Sequence, residues 1–359
     1  MRRARNRMRC STESWRPAGA AAMLGLGLLG CTARTEPPPV EEAFIARRSV
    51  TIRADLPTSS PVVATVKLGS RVEVVGRRRR LVRVRTAGDS EGWARDDELI
   101  SREVRDLMEQ SRAQTTSYPS QGVVRAFDRL NVHLQAGLES PPIYQLEKDE
   151  GAELLLRRIV ERTPGEAAEQ GAAVVSDGWC LVRLPTGNVG WLLARRVYSG
   201  IPDEIAQYAE GRRIVSYASL EEVEDERRDL VKPTWLWTQV GKGKQTYDFD
   251  RFRVFRWSDR RNAYQTIKLR TSLQGFLPVV VHPKLEVDEG TGPGFSLTLQ
   301  RGDRRVVRTY VLLGQRVAEV SERPAPPPAP AIRLELVEPT LAPPPDLMNR
   351  LLSWWHGPS

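Results

Sequence analysis

The chain repeats itself, and a repeat limits the fold more than any single motif does. Val50 to Arg78 lies over Leu130 to Arg158 without a gap. Ile52 matches Val132, Ser60-Pro61 matches Ser140-Pro141, Val66 matches Leu146 and Val74 matches Leu154. After an insertion in the second copy (residues 159–176) the register resumes, with Val84-Arg85 on Val182-Arg183 and Gly92-Trp93 on Gly190-Trp191. One small unit has been used twice. Within each copy short apolar runs alternate with charge. Val72 and Val74, then Val82 and Val84, point one way, with Arg71, Glu73, Arg83 and Arg85 alternating with them. A period of two predicts half-buried strands. "TAGDSEG" and "LPTGNVG" predict the hairpin connections between the last long strands.

"VTIRADLPTSSPVVATV" with "EGWARDDELI", and "LNVHLQAGLESPPIYQL" with "VGWLLARRVY", resemble the bacterial SH3-like domain. The shared features are an opening strand, a loop reaching Ser-Pro, a Gly-flanked strand pair and a closing Gly-Trp segment. The resemblance implies two small barrels, over residues 49–101 and 121–199, serving as binding modules for protein, peptide or cell-wall polymer. Trp93 and Trp191 are expected to close the barrel cores, and Cys180, alternating with Val182 and Leu184, to point into the second. Apart from Trp93 the first copy has no aromatic residue between Val50 and Ile100, so a ligand groove is expected in the second, from Tyr144, Trp179 and Tyr198. Between the copies, Val104, Leu107 and Met108 stand at helical spacing and predict a linking helix within 102–120.

Upstream, Ala18 to Gly30 is uncharged and follows an arginine-rich stretch. At about a dozen residues it is too short to span a bilayer, and four glycines weaken it as a buried helix. Its layout is that of a secretory leader. Leu28-Leu29-Gly30-Cys31 resembles a bacterial lipoprotein signal, which implies cleavage before Cys31 and acylation of that cysteine. Residues 1–30 are then a leader and 31–48 a polar, Pro-containing tether. The resemblance implies a cell-envelope protein lipid-anchored to the inner or outer membrane and facing the periplasm or the exterior. Residues 1–30 hold six arginines and one glutamate, leaving 48 of the 54 basic and 44 of the 45 acidic residues for the rest. That near balance gives no reason to expect a nucleic-acid partner.

Beyond the copies, residues 200–212 predict a short helix, with Pro202 at its start, Gly211 at its stop, and Ile205, Tyr208 and Ala209 on one face. Residues 213–322 read as β throughout and predict a compact antiparallel sheet, sandwich or part-barrel. The stretch 323–345 is Pro-rich and reads as a linker that packs no core. In residues 346–359, Leu347, Leu351 and Trp355 fall on one stripe. With Trp354 they make an amphipathic candidate contact for a partner or a membrane. The helix segment and "YDFDRFRVFRW" resemble a group of SH3-containing bacterial lipoproteins whose C-terminal β domain has no established activity.

The chemistry-bearing residues are sparse. His133, His282 and His356 form no metal-ligand spacing, and Cys180 is the sole cysteine after Cys31. The expectation is a mainly β, non-enzymatic binding or scaffold protein, with no cofactor and no metal. Its partners are the membrane through the anchor and an envelope protein or peptidoglycan. The alternative is an envelope hydrolase using Asp248 and Asp250 of "YDFD" as a carboxylate pair.

Overall fold

The computed structural model describes residues 41–161, 176–225, 229–243 and 246–327, together with Ile332 and Leu334. The leader residues Leu28, Leu29 and Gly30, the anchor Cys31, and Leu347, Leu351, Trp354 and Trp355 lie outside them, as does His356. The first copy is one antiparallel sheet of β1 (Glu41–Ile45), β2 (Ser49–Arg53), β3 (Val62–Lys67), β4 (Arg71–Arg78), β5 (Leu81–Thr86), β6 (Glu91–Arg95) and β7 (Leu99–Ser101). The second comprises β8 (Val123–Ala126), β9 (Leu130–His133), β10 (Pro142–Leu146), β11 (Gly151–Glu161), β12 (Ser176–Arg183), β13 (Val189–Leu193) and β14 (Val197–Ser199). Their strand orders are identical: β3-β2-β6-β5-β4-β1-β7 and β10-β9-β13-β12-β11-β8-β14. Neither is a closed barrel, because among the described residues β3 shares no ladder with β7, nor β10 with β14.

The duplication extends to side-chain chemistry. Ser60 Oγ accepts from the Asp55 N–H and Ser140 Oγ from the Gln135 N–H, both at 2.8 Å. Arg53 donates to the Ser60 carbonyl at 2.8 Å, and His133 Nδ1 lies 2.7 Å from the Ser140 carbonyl. Gly92 and Gly190 are required by close approach. A Cβ there would run into the carbonyl of Arg53 or of His133 on the neighbouring strand.

That same parity moves the two tryptophans. Val84 pairs with Gly92 and Val182 with Gly190, so the residue after each glycine points to the opposite face. Trp93 is therefore not a core residue. It is half-buried on the face that carries Arg83 and Arg95, while Val82, Val84 and Ala94 fill the inner core. Trp191 is buried, yet in an outer cluster with Trp179, Leu181 and Leu193, whereas Cys180, Val182 and Leu192 face inward. The middle strands of the second copy are thus covered on both faces.

Two further expectations change. The tether ends earlier than 48, because Ala43, Phe44 and Ile45 are buried in β1. The Pro-rich stretch contributes to packing: partly buried Ile332 lies against the Trp179–Trp191 cluster and Leu334 against the core shared by the copies. That shared core is organised by α1 (Arg102–Gln114), capped by Ser101. Leu107 and Met108 meet Phe44 and Ile100 of the first copy and Ile143, Tyr144 and Leu146 of the second.

The remainder is two four-stranded antiparallel sheets. One holds β15 (Arg213–Asp225), β16 (Leu230–Val240), β17 (Arg251–Ser258) and β18 (Ala263–Arg270). The other holds β19 (Gly275–Val287), β20 (Gly290–Arg301), β21 (Arg304–Leu313) and β22 (Arg316–Pro324). They share one core in which the Phe252, Phe295 and Tyr310 rings lie 5.1–5.4 Å apart. Glu221, Glu222, Glu224 and Asp225 lie in β15, and His282 sits within β19. The short helix α2 (Asp203–Ala206) covers the other face of the first sheet. Ile205, Tyr208 and Ala209 pack with Trp237, Phe255 and Tyr264. No described helix is long and apolar enough to cross a membrane.

The two tryptophans therefore differ in what they contribute to stability. Trp191→Ala is expected to cost about 3–5 kcal/mol, and Trp93→Ala less than half as much, because its ring already meets water. Urea unfolding of both variants checks this, and equal losses would contradict it.

Candidate functional site: a basic cleft on the second copy

The sequence-predicted groove residues are not brought together. Tyr144 is buried in the core between the copies, its hydroxyl donating to Glu150 at 3.1 Å. Tyr198 lies on β14, donates to Asp149 at 2.8 Å and has its ring 5.0 Å from Phe127. Trp179 alone borders an open cleft of about 330 Å³. The cleft is built by β9, the start of β12, the end of β13 and the turn after it. These contribute Arg129, Asn131, His133, Trp179, Leu193, Arg195 and Arg196, with Leu138 and Gln145 at its margin.

The geometry is that of a recognition surface. His133 stands edge-on to Trp179, centroids 5.5 Å apart and planes at 85°. Because a carbonyl only accepts, the proton of neutral His133 sits on Nδ1, facing Ser140. Arg195 is held by the buried Asp177 at 2.9 Å, and Arg129 by Glu147 at 3.3 Å. Arg196 is exposed and has no carboxylate partner among the described residues. The lining supplies three guanidinium groups, two amides and an imidazole, with Trp179 buried behind them and no acidic, hydroxyl or thiol side chain. Arg129 and Gln145 also border a second cleft, of about 500 Å³, between the copies. There Arg47, Arg48 and Arg95 alternate with Asp97, Glu98 and Glu147. Sequence reasoning missed Arg129, Arg195 and Arg196, since their convergence depends on β9 and the turn after β13 being neighbours. The available signal was "ARR" directly after the Gly-Trp strand, at the position of "DDE" in the first copy.

Asp248 and Asp250 are held by separate partners. Asp250 accepts from the Gly241 N–H at 2.8 Å and from Arg212 at 3.2 Å. Asp248 accepts from the Leu277 N–H at 2.9 Å, and Arg157 reaches its carbonyl at 3.5 Å. Phe249 between them is fully buried. Cys180 is 2% exposed, and burial pushes its thiol up, away from the reactive thiolate. Among the described residues no group of three His, Cys, Asp or Glu could hold a metal ion.

No protein-family model matches the chain, and no curated protein matches it. Among solved structures it is similar to NlpC1 from Trichomonas vaginalis, at 9% identity and a TM-score of 0.17 over 70% of this chain and 96% of that one. NlpC2 from the same organism gives 10% and 0.16, over 79% and 97%. An NlpC/P60 family protein from Bacillus cereus gives 13% and 0.19, over 79% and 94%. Superpositions this loose carry no argument about shared fold or activity.

Burial raises the Asp248 carboxyl above its ordinary range, against the Leu277 N–H and Arg157, which lower it. A carboxyl raised by folding costs stability as the pH climbs from its unfolded value through the folded one. Asp248→Asn keeps an acceptor for Leu277 and removes the charge. The variant is expected to match or exceed the parent in stability at neutral pH and to lose part of the parent's decline above pH 4. Thermal unfolding across pH checks it, and marked destabilisation at pH 7 would contradict it.

Proposed function

We propose that the chain is a non-enzymatic, lipid-anchored binding protein of a bacterial cell envelope. Its two copies are SH3-like modules, of which the second holds the ligand. The anchor is Cys31, supported by Leu28-Leu29-Gly30-Cys31 after a charged and then apolar leader. The module reading is supported by the twice-used strand order and by the matching Ser-Pro loops and Gly-Trp strands.

The observation that carries the reading is the cleft beside Trp179. Three guanidinium groups and two amides recognise carboxylates and peptide or glycan hydroxyls. The imidazole has no hydroxyl or thiol in the lining to activate. The ligand class is therefore a carboxylate-bearing peptide or wall polymer, bound and released unchanged.

Sedimentation with purified peptidoglycan sacculi tests this directly. The parent chain is expected to co-sediment, and Arg196→Glu to bind about tenfold less or weaker, since a hydrogen bond to a charged group is worth about 1.5–3 kcal/mol. Arg196 is exposed, so the fold should be unaffected. Equal sedimentation of the variant, or none by the parent, would overturn the assignment.

A further inference from the structure

The hairpin joining β4 and β5 ends in four consecutive arginines, and their charges are not equally compensated. Arg77 is paired with Glu41 and, at 2.7 Å, with Asp96. Farther down, Arg83 and Arg85 share Glu91 at 3.0 and 2.6 Å. Arg78, Arg79 and Arg80, at the tip, are exposed and have no carboxylate partner among the described residues. Arg78 pairs with Leu81, so Arg79 and Arg80 form a two-residue turn. Arg79 sits at φ 55°, where glycine is favoured. Three uncompensated cations thus crown one turn, one of them in a backbone conformation that works against its side chain.

The chain enters the fold beside this tip. β1 runs antiparallel to β4 with Glu41 opposite Val74, so the N-terminal end of β1 lies toward the tip. From Val74 the hairpin projects another four residues to Arg78, roughly 13 Å. The stretch from Cys31 to Val40, about ten residues, spans at most about 35 Å. A chain held at Cys31 therefore keeps the tip within reach of the surface that holds it.

We infer that Arg78, Arg79 and Arg80 form a cationic foot that rests on the anionic headgroups of the anchoring membrane. The foot sets which face of the protein turns toward the bilayer and leaves the Trp179 cleft, on the other copy, for the ligand. The inference rests on the anchor reading only for where the bilayer lies, since the foot's attraction to anionic lipid does not need the acyl chains. Each arginine near an anionic surface is worth about fivefold in binding, so three amount to on the order of a hundredfold, weakened by salt.

The test uses the mature chain from Thr32, unacylated, which retains every described residue, with phosphatidylglycerol-containing vesicles and with vesicles of phosphatidylcholine alone. Salt-sensitive binding to the anionic vesicles only is expected. The triple variant Arg78→Gln, Arg79→Gln, Arg80→Gln should lose on the order of a hundredfold with unchanged thermal unfolding. Removing three exposed arginines of the sheets beyond residue 213 (Arg260→Gln, Arg261→Gln, Arg304→Gln) should leave binding intact. Equal loss in both triple variants would mean general charge attraction and overturn the proposal. So would displacement by inorganic phosphate at matched ionic strength, which would mean a free-anion site. Absence of vesicle binding would overturn it as well. The anchor is judged separately, by detergent-phase partition of Cys31→Ser, so the two failures cannot be confused.

Discussion

Gln121 joins three parts of the molecule at one buried point. Its side-chain oxygen accepts from the Val279 N–H at 2.8 Å, and its side-chain amide donates to the Val279 carbonyl at 3.0 Å. Its own N–H donates to the Leu154 carbonyl at 2.7 Å, and its carbonyl accepts from the Tyr217 N–H at 3.1 Å. The second copy, the start of β15 and the middle of β19 are therefore locked by a residue that is 2% exposed and fully satisfied. Gly122 follows at φ 94° with the Tyr217 ring against it, so only glycine fits beside the lock. Replacing Gln121 with an apolar residue would strand a donor and an acceptor of Val279 away from water.

Two units of one strand order are nonetheless not equivalent. The first copy keeps one sheet face open, and that face carries Arg83, Arg95 and half-buried Trp93. The corresponding face of the second carries Trp179, Leu181, Trp191 and Leu193, and it is buried. Sequence divergence between the copies follows coverage: arginine where water remains, tryptophan and leucine where it has been removed. The cleft sits where that covered face meets solvent, on strands fixed from both sides. Rigid support of that kind suits a recognition surface, because less freedom is lost when a ligand arrives.

Much of the architecture was legible because it rests on local rules. The duplication, the alternating strands, the linking helix with Leu107 and Met108 inward, and the face formed by Ile205, Tyr208 and Ala209 all follow from short-range periodicity. The tryptophans were misplaced although the hairpin register that settles them was within reach. Once Val84 opposes Gly92, Trp93 must face the other way. The "AFIA" run in the tether was an overlooked strand signal, four apolar residues in a polar stretch. The cleft was legible only in part. Trp179 stood out as an aromatic absent from the first copy, but its arginines come from strands adjacent only in the folded sheet. The packing of Ile332 and Leu334 was hidden by the prolines around them, which signal a linker whatever the apolar residues among them do.

The central structural claim is that the second copy and the β15–β22 sheets behave as one body around Gln121. Amide hydrogen exchange of Gln121→Leu, residue by residue in the full chain, reads it most directly. Losing the two Val279 bonds should lower global stability by about 2–4 kcal/mol. Protection should fall together at Val279, at Tyr217 and at the central amides of the second copy, Leu181 and Trp191 among them. Exchange that quickens only around Val279, with the second copy keeping its parental protection, would contradict the account.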